Sequence, residues 1–259
     1  MNIVVHNLGF SYPNGKKIFE NLNFSISQGS TVTILGPNGA GKSTLLACLT
    51  RIYLPGQGDI LIDGKSYRHM KQRDIANAIG FVPQTIVPSF DFSVIDYVVT
   101  GCAPRLGAFQ KPKAAKYEVA WEAIQAMNIS HLAEQSFMRI SGGERQQAVI
   151  ARVIAQKPAF ILLDEPTSHL DAGNQVKVLN ILKKMANKGY GVVMTTHNPD
   201  HVLLLDDQVG VLDQQGRFAF GPNREILSEE LLFGLYGGGL RLFYSDDLGR
   251  QICALEGIS

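Results

Sequence analysis

Apolar and polar residues alternate from Asn2 to Tyr12 and again from Ile18 to Ile26, the period-two pattern of strands, with a Pro13, Asn14, Gly15 turn between them. A different pattern marks Thr31 to Leu35, Ile79 to Val82, Phe160 to Leu163 and Gly191 to Thr196. Each is a short, nearly continuous apolar or β-branched run, as expected of strands buried on both faces. Gly58 to Gly64 reads as one more strand ending in an Asp-Gly turn. Val209 to Leu212 and Arg217 to Phe220 read as a hairpin around Gln214, Gln215 and Gly216. Helical spacing begins at Leu45 and recurs at 73–77, 113–127, 141–154, 172–187 and 225–235. In the 113–127 helix, Tyr117, Ala120, Trp121, Ile124 and Met127 share one face, and Trp121 is expected in the core. From Thr85 to about Lys157 no strand alternation occurs, so this stretch reads as an inserted helical lobe. The Gly237–Gly239 run is expected to be a flexible joint before a small C-terminal hairpin about Asp247, Leu248 and Gly249. The fold class is α/β: an antiparallel β part, a core of buried strands, and a helical insertion.

Composition narrows the setting more than the chemistry. With 259 residues and 45% hydrophobic content, the chain is large enough to bury a full core. A formal net charge of +1 gives no electrostatic reason to bind nucleic acid. Cys48, Cys102 and Cys253 are widely spaced and in no CxxC pair, which fits reduced thiols in a cytoplasmic protein. The N-terminus lacks the basic start and long apolar centre of a signal peptide. No apolar run approaches the roughly 18 residues of a spanning helix.

The chemistry centres on the segment after Leu35. Gly36, Pro37, Asn38, Gly39, Ala40, Gly41, Lys42, Ser43 and Thr44 fill the G-x-x-x-x-G-K-[ST] phosphate-loop pattern, between a strand and a helix as the motif requires. The glycines let backbone N–H groups converge on phosphate oxygens, and the helix N-terminus favours negative charge. Lys42 would neutralise the β- and γ-phosphates, and the Ser43 hydroxyl would hold magnesium. The chain is therefore expected to bind a nucleoside triphosphate. Asp164 and Glu165 end an apolar strand, where Asp164 suits the magnesium ion and Glu165 suits orienting and deprotonating a water. Gln84 and His197 also follow buried strands, at the edge where ligands of α/β sheets collect. Ser141, Gly142 and Gly143 open a helix and suit a second anion site, while Ser141 with Glu144 is equally an ordinary capping box. Tyr12, at a strand end, is either a packing residue or a ring for stacking on a purine.

Taken together and in order, these residues resemble the ATP-binding subunit of an ABC transporter over residues 2–235. In that resemblance Gln84 is the Q-loop glutamine, and Ile140, Ser141, Gly142, Gly143 and Glu144 stand for the LSGGQ signature. Ser168 to Asp171 is the D-loop, His197 the switch histidine and Tyr12 the adenine-stacking aromatic. Ile140 for Leu and Glu144 for Gln depart from the pattern but leave the Ser-Gly-Gly centre intact. The resemblance implies a P-loop NTPase (RecA-like) core at 1–85 and 158–235, with an antiparallel β subdomain. It also implies a helical subdomain at 86–157 and a short extension at 236–259. Two copies would pair head to tail, with ATP and Mg2+ between the phosphate loop of one and Ser141 of the other. Lys42, Ser43 and Thr44 would hold phosphates, with Gln84 and Asp164 on the metal. Glu165 would be the general base, His197 would fix the γ-phosphate and Asp171 would link the two sites.

Residues 93–107 are similar to the helical-lobe segment of importers for iron–siderophore, haem and cobalamin, with Cys102 where Arg is common. That implies two copies of a multi-spanning permease, a substrate-binding protein, and a peripheral place on the cytoplasmic face of the inner membrane. Residues 85–110 are expected to meet the permease. Relatives also carry oxyanions such as molybdate. Two other classes stay open: a soluble ABC ATPase of iron–sulfur assembly, and a phosphate-loop small-molecule kinase, against which Ser141, the Asp164–Glu165 pair and His197 argue.

Overall fold

The computed structural model describes residues 1–85, 90–107 and 110–256. β1 (Asn2–Ser11) and β2 (Lys17–Ser27) form an antiparallel hairpin, extended through β4 (Gln57–Ile62) and β5 (Lys65–Ser66) in the order β2-β1-β4-β5. Alternation puts Ile3, Val5, Leu22, Phe24 and Ile26 on one face, all buried. This face closes over β3 (Thr31–Leu35) and the helix that follows it, α1 (Lys42–Leu49), in one apolar cluster. α1 is buried almost all round, so it has no polar face, and seven of its eight residues are buried. Next come α2 (Gln72–Ala78) and β6 (Ile79–Val82).

The helical lobe includes α3 (Val94–Val99), α4 (Ala114–Ala126) and α5 (Gly142–Ala155). Its interior is built from Val94, Val98, Ile124, Phe137 and Ile150, and is continuous with the underside of the main sheet through Val82 and Leu163. Trp121 is not core. The buried stripe of α4 is Ala120, Ala123 and Ile124, and Trp121 stands 38% exposed at its edge. The small alanines let α4 sit close to α3 and α5, which turns the larger rings outward. Tyr117, also at this edge, donates its hydroxyl to Asp96 at 2.9 Å.

The main sheet adds β7 (Phe160–Leu163), β8 (Gly191–Thr196), β9 (Gln208–Leu212) and β10 (Phe218–Pro222), with α6 (Ala172–Asn187) and α7 (Pro199–Leu205) between them. Its order is β10-β9-β3-β8-β7-β6, parallel except for β10. Thus β3, β6, β7 and β8 release their functional residues at one edge. The helix expected over 225–235 is two: α8 (Asn223–Ile226) and α9 (Glu229–Tyr236). Ser228 breaks the run because its side chain caps α9, accepting from the Leu231 N–H at 3.1 Å. At the C-terminus β11 (Leu240–Ser245) pairs with β12 (Arg250–Leu255). Gly237, Gly238 and Gly239 form a built turn with positive φ, and Leu240, Leu242 and Cys253 pack on a cluster that includes Val202 and Leu232. No helix among the described residues is long and apolar enough to cross a membrane.

Candidate functional site

The loop from Gly36 to Gly41 connects the end of β3 to α1, and two of its glycines, Gly36 and Gly41, are demanded by space. A Cβ on Gly36 would lie 2.2 Å from the Leu212 carbonyl oxygen, and one on Gly41 would lie 2.3 Å from Ile18. Gly41 is also left-handed (φ 103) and caps α1 without a side-chain hydrogen bond, so the N–H groups at this terminus remain for a ligand. The Lys42 ammonium, 5% exposed, donates to the Gly36 and Pro37 carbonyls at 2.8 and 3.1 Å and lies 3.2 Å from Glu165. Thr44 is tied through its hydroxyl to that of Tyr12 at 2.9 Å. Tyr12 in turn meets Phe10 edge to face at 5.1 Å, which fixes the ring plane at the mouth of the cavity.

Asp164 and Glu165 are both buried, and one hydroxyl serves them both. Thr195 donates to the Asp164 carboxylate at 2.7 Å and accepts from the Glu165 N–H at 2.8 Å. Glu165 adopts a left-handed backbone, φ 43, immediately after the strand. Its carboxylate thereby faces three groups from separate segments: Lys42, the Gln84 amide at 3.4 Å and His197 Nδ1 at 3.3 Å. A cavity of about 640 Å³ is lined by Tyr12, Asn38, Gly41, Lys42, Ser43, Thr44, Gln84, Glu165 and His197. Each of these is a residue that the sequence designates for nucleotide, metal or catalysis, and they come to one wall from five stretches of chain; the designated Asp164 and Asp171 are not among the lining residues. Ser43 hydroxyl, the Asp164 carboxylate and the Gln84 amide oxygen are hard oxygen donors, the set that magnesium takes beside phosphate. Among the described residues no group of three or more His, Cys, Asp or Glu forms a cage for a metal by itself.

Ser141 does not join this cavity. It lines a separate one, with Glu144 and Asn174, between the helical lobe and α6. The capping box is formed: Ser141 donates its N–H and hydroxyl to Glu144 at 2.8 and 2.7 Å, which holds that carboxyl below its ordinary range. Gly143 permits close packing of α5 on α6, since a Cβ there would lie 2.8 Å from the Asn174 side chain. Asp171 is the N-cap of α6, accepting from the Asn174 N–H and amide at 2.9 and 2.6 Å. Those bonds hold its carboxyl low.

Four participants lie outside the sequence motifs. Lys16, beyond the first turn, and Thr167 line the nucleotide cavity. Thr195 has a signal, since it and Thr196 are two hydroxyl residues ending an otherwise apolar strand. His201, 5% exposed, hydrogen-bonds through Nδ1 to the Thr196 hydroxyl at 2.9 Å; burial above all pulls its pKa down to about 4, so it is neutral. It also lines the cavity and supports the turn that carries His197.

Comparisons with known proteins identify the family of the chain. The family model described as ABC transporter matches residues 19–168. The molybdate import ATP-binding protein MolC of Haemophilus influenzae is 41% identical over 90% of this chain and 87% of its own. The ferric enterobactin transport ATP-binding protein FepC of Escherichia coli is 36% identical over 89% and 84%. A chain of a solved metal-chelate type ABC transporter, in an inward-facing conformation, superposes with a TM-score of 0.86 at 37% identity, covering 98% of this chain and 97% of that one. The family match over more than half of the chain and these relatives together show that the chain belongs to the ABC transporter family, as an ATP-binding subunit that hydrolyses ATP.

Proposed function

We propose that this chain drives an importer for a metal chelate, such as an iron–siderophore, haem or cobalamin, by ATP-dependent closure of a homodimer. Relatives named for ferric enterobactin and hemin, and the metal-chelate type transporter with a TM-score of 0.86, support that cargo class. A molybdate import relative at 41% identity extends the class to oxyanions. The observation that carries the dimer is the division of the motifs. Lys42, Glu165 and His197 share one cavity, while Ser141 lines another. A two-fold pair bringing Ser141 of one copy to the phosphate loop of the other makes two equal sites.

In this reading Tyr12 stacks on adenine, and Lys42, Ser43, Thr44 and the loop N–H groups hold the phosphates. Ser43, Asp164 and Gln84 would hold magnesium, which offsets charge on the β- and γ-oxygens. Phosphate competes with Glu165 for the Lys42 ammonium, and that exchange releases the carboxylate to accept a proton from the attacking water. His197, 3.3 Å from the same carboxylate, orients the water and the γ-phosphate. Asp171, at the start of α6, links the paired sites. Glu165→Gln lowers turnover about a thousandfold while the chain still binds ATP and accumulates as a dimer by light scattering. Normal turnover in that variant would remove Glu165 from the role. For the cargo, the tagged chain is pulled from detergent-solubilised membranes of its host. A multi-spanning permease in equal amount supports import, whereas soluble partners alone would favour an iron–sulfur assembly ATPase.

A further inference from the structure

Two tethers run from the C-terminal segment to the turn that carries His197. The Tyr236 hydroxyl, at the last residue of α9, donates to the His197 carbonyl at 2.9 Å. Three residues beyond His197, the Asp200 carboxylate takes both guanidinium nitrogens of Arg250, from β12, at 2.8 and 3.0 Å, and the Cys253 N–H at 3.3 Å. Bidentate pairs of this kind fix orientation as well as distance. The Tyr236 ring is half-buried; burial first, then the neighbouring Cys253 thiol and the Glu165 carboxylate, push its pKa up, so it remains a proton donor. The His197 ring is 52% exposed, and among the described residues its one side-chain hydrogen bond goes to Glu165. Its aim is therefore set largely by its own backbone, and the backbone is what the tethers hold.

We infer that Tyr236 is a positioning residue for His197, and that the β11–β12 hairpin is a strap that keeps the histidine turn aligned with Glu165. The inference rests on the role given above to His197. Without the Tyr236 hydroxyl the carbonyl is free to rotate toward solvent, and the ring spends less time aimed at the water and γ-phosphate. Nothing that holds the nucleotide itself is touched, so the rate changes and binding does not.

The test is steady-state ATP hydrolysis by the full-length chain as Tyr236→Phe, Arg250→Gln, His197→Ala and the Tyr236→Phe/His197→Ala double variant, with thermal unfolding measured on each. Loss of one such hydrogen bond lowers kcat about fivefold in Tyr236→Phe, with KM for ATP within about twofold of the parent. Arg250→Gln moves kcat in the same direction. The double variant is no slower than His197→Ala, because no ring is left to aim. Unchanged kcat in Tyr236→Phe while His197→Ala is slow overturns the positioning role and leaves the histidine's role standing. A further drop in the double variant overturns it as well, since Tyr236 then acts on something else. Parental turnover in His197→Ala removes the histidine's role, and the strap's purpose with it. If Tyr236→Phe unfolds at the assay temperature, Arg250→Gln replaces it, alone and in the His197→Ala background. A slow single variant with no further drop in that background then supports the strap, and any other pattern overturns it.

Discussion

The chain contains two glycine-rich helix starts, and they differ in what occupies their N–H groups. At α1 the loop from Gly36 to Gly41 is enclosed by Leu212, Ile18 and Tyr12, and the cap carries no side-chain hydrogen bond. At α5 the start is exposed, and Ser141 and Glu144 satisfy one another. The same local device thus serves opposite states of completion. The first is walled by its own chain. The second is closed on itself by the Ser141–Glu144 bonds, and in the proposed dimer one of them gives way for the Ser141 hydroxyl to donate to a phosphate. In the dimer proposed above, that difference assigns nucleotide binding to one copy and hydrolysis to two.

Substitutions at each start separate these roles. Lys42→Ala weakens ATP binding by the single chain about a hundredfold, read by titration with a fluorescent nucleotide, because a buried charge-assisted donor is lost. Ser141→Ala leaves that titration unchanged and lowers turnover about tenfold or more if, as proposed, the Ser141 hydroxyl donates to developing charge across the dimer. Equal loss of binding in both variants would erase the distinction.

Acid separates the regions further. His201, beside the first start, has its pKa lowered from 6.5 to about 4, so the unfolded chain binds the extra proton between those values. Its contribution is full above pH 6.5 and falls through pH 4, a loss of about 3 kcal/mol read by denaturant unfolding at each pH. Glu144, at the second start, is also lowered, from 4.5, and its contribution is lost only below that value. Stability that stayed flat from pH 6.5 to 5 would show that His201 is not held neutral. The smallest effect is expected at Trp121→Ala on the edge of α4: a change within about 0.5 kcal/mol, because the ring is outside the packed stripe.

The strands and the phosphate loop are legible in the sequence because they rest on local pattern. Thr31 to Leu35 is apolar or β-branched without interruption and does occupy the middle of the sheet. Lys42, Glu165 and His197 are legible as candidates because each follows such a strand. What misleads is local pattern in competition with packing. Tyr117 and Trp121 have the helical spacing of a core face, yet the alanines decide which side of α4 is covered. Ser228 divides a continuous helical pattern with one capping bond. His201 and Tyr236 make contacts that no spacing announces, such as the hydrogen bond of Tyr236 to an acceptor 39 positions away.

The left-handed turn at Glu165 has a consequence for saturation mutagenesis. Side chains branched at Cβ are the least compatible with φ 43, whereas Asn, Asp and Gly adopt it readily. A library at this position will therefore sort twice, and the two rankings will disagree. Glycine and asparagine will rank high for abundance and low for catalysis, while valine and isoleucine will disappear for lack of folded protein. A growth selection alone would merge these failures into one. Counting soluble chain beside growth keeps backbone shape and proton chemistry apart.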